Sequence, residues 1–348
     1  MFGLMKRVAL AYLRRPVVFS PGAATTWLGR QADVTVVTSP RAIAAIEPSL
    51  KDRKTRVILD PPLEVAELDG IVPSITTPWI AGVGAGRVMD ASKYLAMRAR
   101  RKLCLIPSAL STTSWLNMAI ALRKDGKIYF PGNKHANRTI IDPDFISKAP
   151  MALTLGGLVD ILAACTAVTD WVIAHENAGD KLSARGIKEF TSLILKVLGS
   201  KATFLGAPSA VIRAVHDTFL EALALCGASF SGRPVEGSEH FLYYLAEETC
   251  KRRFVHGEII ALMMLAALQL QGPRAMVEPA RMREFLAGIG VKFSPRELGM
   301  RREEMARVLK GARAFVTERK YPFSILNLVD FEHDLAKLDS ILDWLFAL

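Results

Sequence analysis

Cysteine is scarce: four in 348 residues, Cys104, Cys165, Cys226 and Cys250. No two stand in the CxxC spacing of a zinc knuckle or a redox dithiol. A disulfide scaffold is therefore not expected, and the four read as buried free thiols of a reducing compartment. Cys250 abuts Lys251, Arg252 and Arg253, where an exposed thiol would have a lowered pKa, yet no base pairs with it. Long apolar runs are also missing on this reading, since none reaches the roughly 18 to 20 residues of a bilayer span. No membrane partner is expected. Met1 to Arg15 is basic with a short apolar patch, but it has no long h-region and no small-residue cleavage site. It reads as a first helix, and the chain as cytoplasmic.

Acidic residues are outnumbered, 34 against 45 basic ones, for a net charge of +11. The basic clusters (98–102, 251–253 and 301–302) are short, are not interleaved with exposed aromatics and carry no recognition motif. Nucleic acid is thus not the expected partner. A solvated basic surface, or a site for an anionic cofactor or substrate, is. Internal repeats and low-complexity segments are absent.

What is present is an ordinary globular composition, 51% hydrophobic and 23% charged, on a chain long enough for two domains. Between 17 and 150, strand-like and helix-like pieces alternate. Val17 to Ser20, Val34 to Thr38, Arg56 to Asp60, Trp79 to Gly82 and Leu103 to Ile106 are the strands, and a long helix runs from Arg87 to about Arg101. Strands separated by helices predict a parallel, doubly wound sheet. Residues 120–130 break the rhythm, because Asp125-Gly126 between two β-like arms favours a tight hairpin. From about 149 the period becomes 3.6, with helices predicted over 151–178, 185–199, 208–227, 238–249, 256–270, 279–288, 296–315 and 326–347. The expected fold is an α/β Rossmann-like N-terminal domain with a parallel sheet (1–148) plus an all-α helical C-terminal domain (149–348).

Two segments of the helical half place a histidine at a helix start. Ser231-Gly-Arg-Pro-Val-Glu-Gly-Ser-Glu-His240 runs into the apolar stretch Phe241 to Ala246, and His256-Gly-Glu258 runs into Ile259 to Leu270. Two inward imidazoles on adjacent helices are half of a metal site, and Asp160, charged within the apolar run 156–163, is a candidate for the third ligand. Asp/His/His suits Zn²⁺ or Fe²⁺ with an open position for substrate. Capping or satisfied core histidines are the other reading. In the first half, Gly82-Val-Gly84-Ala-Gly86 follows a strand and opens a helix. That suits a phosphate cradle, though not the G-x-G-x-x-G pattern, and tight helix–sheet packing is the alternative. Asp90 and Lys93 read as a solvated pair. Thr38-Ser39 stands where an acidic residue would face an adenosine ribose, so NADPH is at least tolerated.

The ordered set Gly82 to Lys93, Ile106-Pro-Ser-Ala-Leu-Ser111, the hairpin, Gly157-Leu-Val-Asp160, Gly237-Ser-Glu-His240 and His256-Gly-Glu258 resembles the dehydroquinate synthase-like superfamily. That superfamily includes the iron-containing alcohol dehydrogenases, and the branch most similar is glycerol-1-phosphate dehydrogenase. Lys320-Tyr-Pro-Phe-Ser-Ile-Leu326 is similar to that branch's closing segment. The resemblance runs from about residue 17 to the C-terminus. It implies Asp160, His240 and His256 as metal ligands and catalytic centre for Zn²⁺ or Fe²⁺. It implies Gly84, Ala85, Gly86, Arg87, Val88 and Asp90 along an NAD(P)H dinucleotide, with Ser108, Ser111 and Asn117 completing the cofactor site.

Departures from the family pattern bear on the substrate. The substrate-contacting aspartate falls at Thr113, and the substrate-contacting histidine falls at Tyr244. Trp115 beside them suggests a bulkier ligand, with a packed loop tryptophan as the alternative. The implied activity is NAD(P)H-dependent reduction of a ketone or aldehyde of a small polyol or keto-sugar by a homo-oligomer. A sugar phosphate cyclase is the runner-up, weakened because such cyclases use a glutamate where Asp160 stands and a lysine where Ala163 stands. A non-catalytic cofactor binder is the third reading.

Overall fold

The computed structural model describes residues 17–50, 54–229 and 231–348. The expected helix at Met1 to Arg15 lies outside these. Among the described residues, one compact unit comprises 17–154 with 207–216, and the other comprises 155–206 with 217–348.

The first unit is built on a six-stranded sheet. Its strands are β1 (Val17–Phe19), β2 (Asp33–Thr38), β3 (Lys54–Leu59), β4 (Trp79–Gly84), β5 (Lys102–Pro107) and β8 (Arg138–Ile141), in the order β1-β8-β5-β4-β2-β3. Every neighbouring pair is parallel. The near-continuous apolar runs of β2, β4 and β5 fit this, because a parallel sheet is covered on both faces. α1 (Ala23–Gly29) and α2 (Pro40–Ile46) pack Ala24, Leu28, Ala42 and Ile46 against Val34, Val36, Ala81 and Val83. Side chains alternate along a strand, so Gly82 and Gly84 of β4 face the other way, toward α4 (Gly86–Arg98). α3 (Val65–Ile71) precedes β4. The strand order turns at β4: β2 and β3 lie to one side, and β5, β8 and β1 to the other. In such sheets ligands bind at the carboxyl ends of the strands beside the turning point, where Gly84 to Gly86 lies.

The hairpin forms as expected. β6 (Leu122–Lys124) and β7 (Lys127–Tyr129) pair antiparallel around Asp125 and Gly126, whose φ angles of 53° and 74° are both left-handed, as a type I′ turn requires. Strand β8 was not expected from the sequence. It is four residues long and is recognised only by its place between β1 and β5. Asp142 follows it and caps α5 (Pro143–Ile146), and its carboxylate also accepts the amides of Gly22 (3.1 Å) and Ala24 (3.0 Å).

The second unit is helical, with no strand among its described residues. The expected helix over 151–178 is two: α6 (Met151–Leu162) and α7 (Ala164–Ala178), broken at Ala163. Taken together they correct the expectation that no apolar run reaches membrane-spanning length, since an 18-residue window within 151–178 has a mean hydropathy of 1.9. That window is 83% buried within the protein, which is how a core helix pair behaves. Then come α8 (Ala184–Gly199), α9 (Pro208–Ser229, of which 208–216 count with the first unit), α10 (Ser238–Cys250), α11 (His256–Gln271), α12 (Pro279–Gly288), α13 (Arg302–Glu318) and α14 (Leu335–Phe346). α13 and α14 start six and nine residues later than the periodicity predicted. The intervening apolar residues Ile325 and Leu326 sit in a short 3₁₀ turn instead. α11 is apolar all round and buried along nearly its whole length, the mark of a central helix.

Two glycines set the spacing of α6 and α11. A Cβ on Gly257 would stand 2.2 Å from the Gly156 Cα, and one on Gly156 would stand 3.2 Å from the Gly257 Cα. The helices therefore cross backbone to backbone. Asp160 lies one turn beyond this crossing on α6, and His256 is the residue before it on α11.

Candidate functional site

Asp160, His240 and His256 come together in the helical unit, each offering one ligand atom within 4.8 Å of the others. His256 Nε2 lies 3.1 Å and His240 Nε2 3.3 Å from Asp160 Oδ1. The Asp160 and His240 side chains are 7% and 9% exposed and that of His256 24%, so the cluster opens on the His256 side. Burial alone would raise the Asp160 carboxyl, but His256 and His240 hold it below the usual carboxylate range. Burial lowers the His240 imidazole, yet its hydrogen bonds to Asp160 and Glu239 carry it well above the ordinary histidine value. Both shifts place positive charge next to Asp160, where a cation would substitute for it.

Glu239 lies behind His240 and was not singled out from the sequence. Its carboxylate accepts from His240 Nδ1 at 2.8 Å, from the Gly237 amide at 2.8 Å and from Thr166 Oγ1 at 2.6 Å. A carboxylate only accepts, so Nδ1 carries a proton, and Nε2, which faces Asp160, is the nitrogen left to offer a lone pair once a cation displaces its proton. Metal-bound histidines are held in this way. The available signal was a second carboxylate inside a buried helix start, Gly237-Ser-Glu-His240. Asp170, also buried, accepts from Ser238 N (2.7 Å), Ile325 N (2.9 Å) and Gln271 Nε2 (3.1 Å). It ties the start of α10 to α7, α11 and the 3₁₀ turn. Burial and the nearby Glu239 push its carboxyl up to about 6.

Tyr244 lies one turn after His240, with ring centroids 6.2 Å apart, and its hydroxyl donates to Glu236. The donor set suits a single divalent cation: two imidazole nitrogens and a carboxylate, one histidine fixed from behind, and an open side.

The glycine turn belongs to the α/β unit. A Cβ on Gly82 would meet Ser92 Oγ at 2.4 Å, and one on Gly84 would meet Val88 at 2.7 Å. Those two glycines serve the close packing of α4 on β4. A Cβ on Gly86 would stand 3.4 Å from Thr112 Oγ1, in ordinary contact with the turn that follows β5. α4 begins at Gly86 with no side-chain cap and no acidic residue in its first turn. Its first amides are thus not taken by a side chain, as an anion-binding helix start requires.

Of the residues expected along the cofactor, Ala85 and Gly86 stay partly open and Arg87 is exposed, paired with Asp60. Val88 turns inward onto Gly84, 2% exposed. Asp90 and Lys93 are not the solvated pair expected. Lys93 is fully buried and binds Asp90 at 2.7 Å, Asn117 Oδ1 at 3.3 Å and the Ala119 carbonyl. Burial raises the Asp90 carboxyl even with Lys93 beside it.

Asn117 in turn donates to Thr113 Oγ1 at 2.8 Å. Lys93 therefore fixes the segment that carries Thr113 and Asn117, while Ser108 and Ser111 remain partly exposed nearby in the chain. Trp115 is 2% exposed and stacks on His216, which corrects its reading as a ligand contact. Thr38 donates to the Val83 carbonyl at 2.8 Å, and Ser39 caps α2, so both hydroxyls at the supposed ribose position are engaged. Thr113 and Tyr244 lie in different units. Cys104 and Cys165 are buried as expected, whereas Cys226 and Cys250 are only partly so. The Cys250 thiol is raised, by burial and Glu304, not lowered.

Comparison with known proteins bears on the family and the fold. Residues 31–150 match the family model of the iron-containing alcohol dehydrogenases. The glycerol-1-phosphate dehydrogenase [NAD(P)+] of Sulfolobus acidocaldarius is 26% identical over 287 residues, 79% of this chain and 78% of that one. Its counterpart in Caldivirga maquilingensis is 25% identical over 343 residues, 91% and 93% of the two chains. Among solved structures, a probable glycerol dehydrogenase from Sinorhizobium meliloti superposes with a TM-score of 0.64 at 17% identity, covering 96% of both chains. A sulfoacetaldehyde reductase from Bifidobacterium kashiwanohense in complex with NAD+ superposes with a TM-score of 0.66 at 15% identity, over 95% and 97%. Over residues 31–150 the chain matches the iron-containing alcohol dehydrogenase family model in sequence, and over nearly its whole length it shares the fold of these solved structures.

Proposed function

We propose that the protein is a metal-dependent NAD(P)H oxidoreductase that reduces the ketone or aldehyde of a small polyol or keto-sugar. The observation that carries this reading is the buried Asp160, His240 and His256 cluster with Glu239 fixing His240 from behind. The relatives named as glycerol-1-phosphate dehydrogenases support the substrate class.

In this reading Asp160, His240 and His256 hold one Zn²⁺ or Fe²⁺ ion. Bound, the ion supplies Lewis-acid polarisation of a carbonyl oxygen and the nicotinamide supplies the hydride. Asp160 offsets part of the cation's charge, and Glu239 keeps His240 in the tautomer that presents Nε2. The amides at the start of α4, with Gly84, Ala85, Gly86 and Arg87, receive the dinucleotide's pyrophosphate. Val88 and Asp90 act from behind, the first by packing and the second by holding Lys93. Ser108, Ser111 and Asn117 complete the cofactor site, and Lys93 fixes Asn117. Tyr244 meets the substrate beside the metal, and Thr113 is the second substrate-contacting position that the family resemblance implies. The Thr38 and Ser39 hydroxyls are engaged and the adjoining Asp60 carboxylate is paired with Arg87, so NADPH is accepted as well as NADH.

His256→Ala tests the reading directly. It is expected to abolish stoichiometric metal binding and carbonyl-dependent NAD(P)H oxidation while leaving the helical circular dichroism unchanged. A metal-loaded, fully active variant would refute the assignment.

A further inference from the structure

Beside the metal cluster stand two residues that it does not use, Tyr244 and Glu236. Tyr244 follows His240 by four positions on α10, so their side chains share a face. Helical side chains lean toward the N-terminus, and Tyr244 does so. Its ring passes His240, and its hydroxyl reaches Glu236, a half-buried residue before the helix, at 2.5 Å. Tyr243 sets its ring edge-on to His256 at 5.2 Å, and Tyr321 lies 6.0 Å from Tyr244. Aromatic rings therefore flank both histidines, and Tyr244 brings a polar atom into that wall.

The direction of its hydrogen bond decides what this atom can recognise. A carboxylate only accepts, so the Tyr244 hydrogen is committed to Glu236. The oxygen is left with a lone pair, able to accept and unable to donate. A phosphate or carboxylate oxygen would meet it lone pair against lone pair, with a second carboxylate behind. A hydroxyl can donate to it.

We propose that the Tyr244–Glu236 pair determines specificity, selecting a free hydroxyl beside the reacting carbonyl and rejecting an anionic group at that position. The inference rests on the proposed reductase function and narrows its substrate.

Three methyl ketones that differ only in the neighbouring group provide the test: hydroxyacetone, its near-isostere butanone, and pyruvate. The metal-loaded protein is expected to favour hydroxyacetone over butanone by at least about tenfold in kcat/KM, with pyruvate lower still, since a site built to bond a hydroxyl discriminates against its absence. Tyr244→Phe is expected to bring hydroxyacetone and butanone within about threefold of each other, because one hydrogen bond of ordinary strength is worth about that factor or more. In Glu236→Gln the amide can donate to the phenol oxygen and free its hydrogen, so pyruvate should gain relative to hydroxyacetone. Unchanged ratios in both variants would overturn the proposal.

If no carbonyl is turned over although metal and cofactor bind, the reductase function fails, and the pair is read by binding instead. In the Co²⁺-substituted protein, 1,2-propanediol should perturb the visible spectrum at least about tenfold more tightly than 2-butanol. Tyr244→Phe should erase that difference. Equal binding of the two alcohols to the unmodified protein would overturn the proposal without reference to turnover.

Discussion

Glu239 touches no substrate in this account, yet the metal should depend on it. Glu239→Gln keeps the shape but weakens the acceptor behind His240, and such losses typically cost about 10- to 100-fold in metal affinity. Competition with a chelator would measure it, and an unchanged affinity would remove Glu239 from the site. His240 gives this a pH dependence. Its imidazole is raised well above the ordinary value by Asp160 and Glu239, against the effect of burial. In the metal-free protein that contribution to stability is complete below the unfolded histidine pKa and is lost as pH rises through the folded one. Metal needs the unprotonated Nε2, so affinity should run the other way, rising with pH and releasing a proton on binding. Calorimetry in two buffers of different ionisation enthalpy would show the release. At this scale the sequence pointed to the three residues that cluster, Asp160, His240 and His256, and was silent about their supports. A histidine at the start of an apolar helix is visible in a string. That Lys93 is buried, and that Glu239 faces His240 instead of water, depends on which face each helix turns inward. Lys93→Met would leave the buried Asp90 carboxylate with only the Ala121 amide and the nearby Arg123, a loss of up to about 3–5 kcal/mol, while Lys93→Met with Asp90→Asn should recover much of it. Denaturant titration separates the two.

Elements follow the same division. The alternation of strand and helix before residue 150 and the 3.6 period after it carried most of the architecture, because burial on both faces leaves a continuous apolar run and burial on one leaves a stripe. Strand β8 was missed because four residues bear too little pattern, and its pairing with β1 and β5 is a long-range fact. α14 was begun early because Ile325, Leu326 and Val329 are apolar at helical spacing, whereas Ser324 and Asn327 bond to each other's backbone and close a 3₁₀ turn instead. The helix crossing at Gly156 and Gly257 was equally hidden. No sequence rule says that the glycine after a ligand histidine is there for a neighbouring backbone. Gly257→Ala forces a methyl into a space of 2.2 Å, and the helices must part. We expect a loss of at least about 1–3 kcal/mol, together with weaker metal binding, because Asp160 and His256 separate. Gly86→Ala, facing open contact at 3.4 Å, should keep the fold and weaken NAD(P)H binding, read by fluorescence titration.

For the molecule as a whole, metal and fold are linked. An ion that binds only the folded state stabilises it in proportion to the logarithm of its concentration over Kd. Chelation should therefore lower the melting temperature of the protein but leave that of His256→Ala unmoved. The most direct test of the central claim is NADH and NADPH oxidation by metal-loaded protein across dihydroxyacetone phosphate, dihydroxyacetone and larger keto-sugars with and without phosphate. The account predicts turnover of at least one of them, abolished by chelation and by His256→Ala. Silence across the whole panel, with metal and cofactor both demonstrably bound, would contradict it.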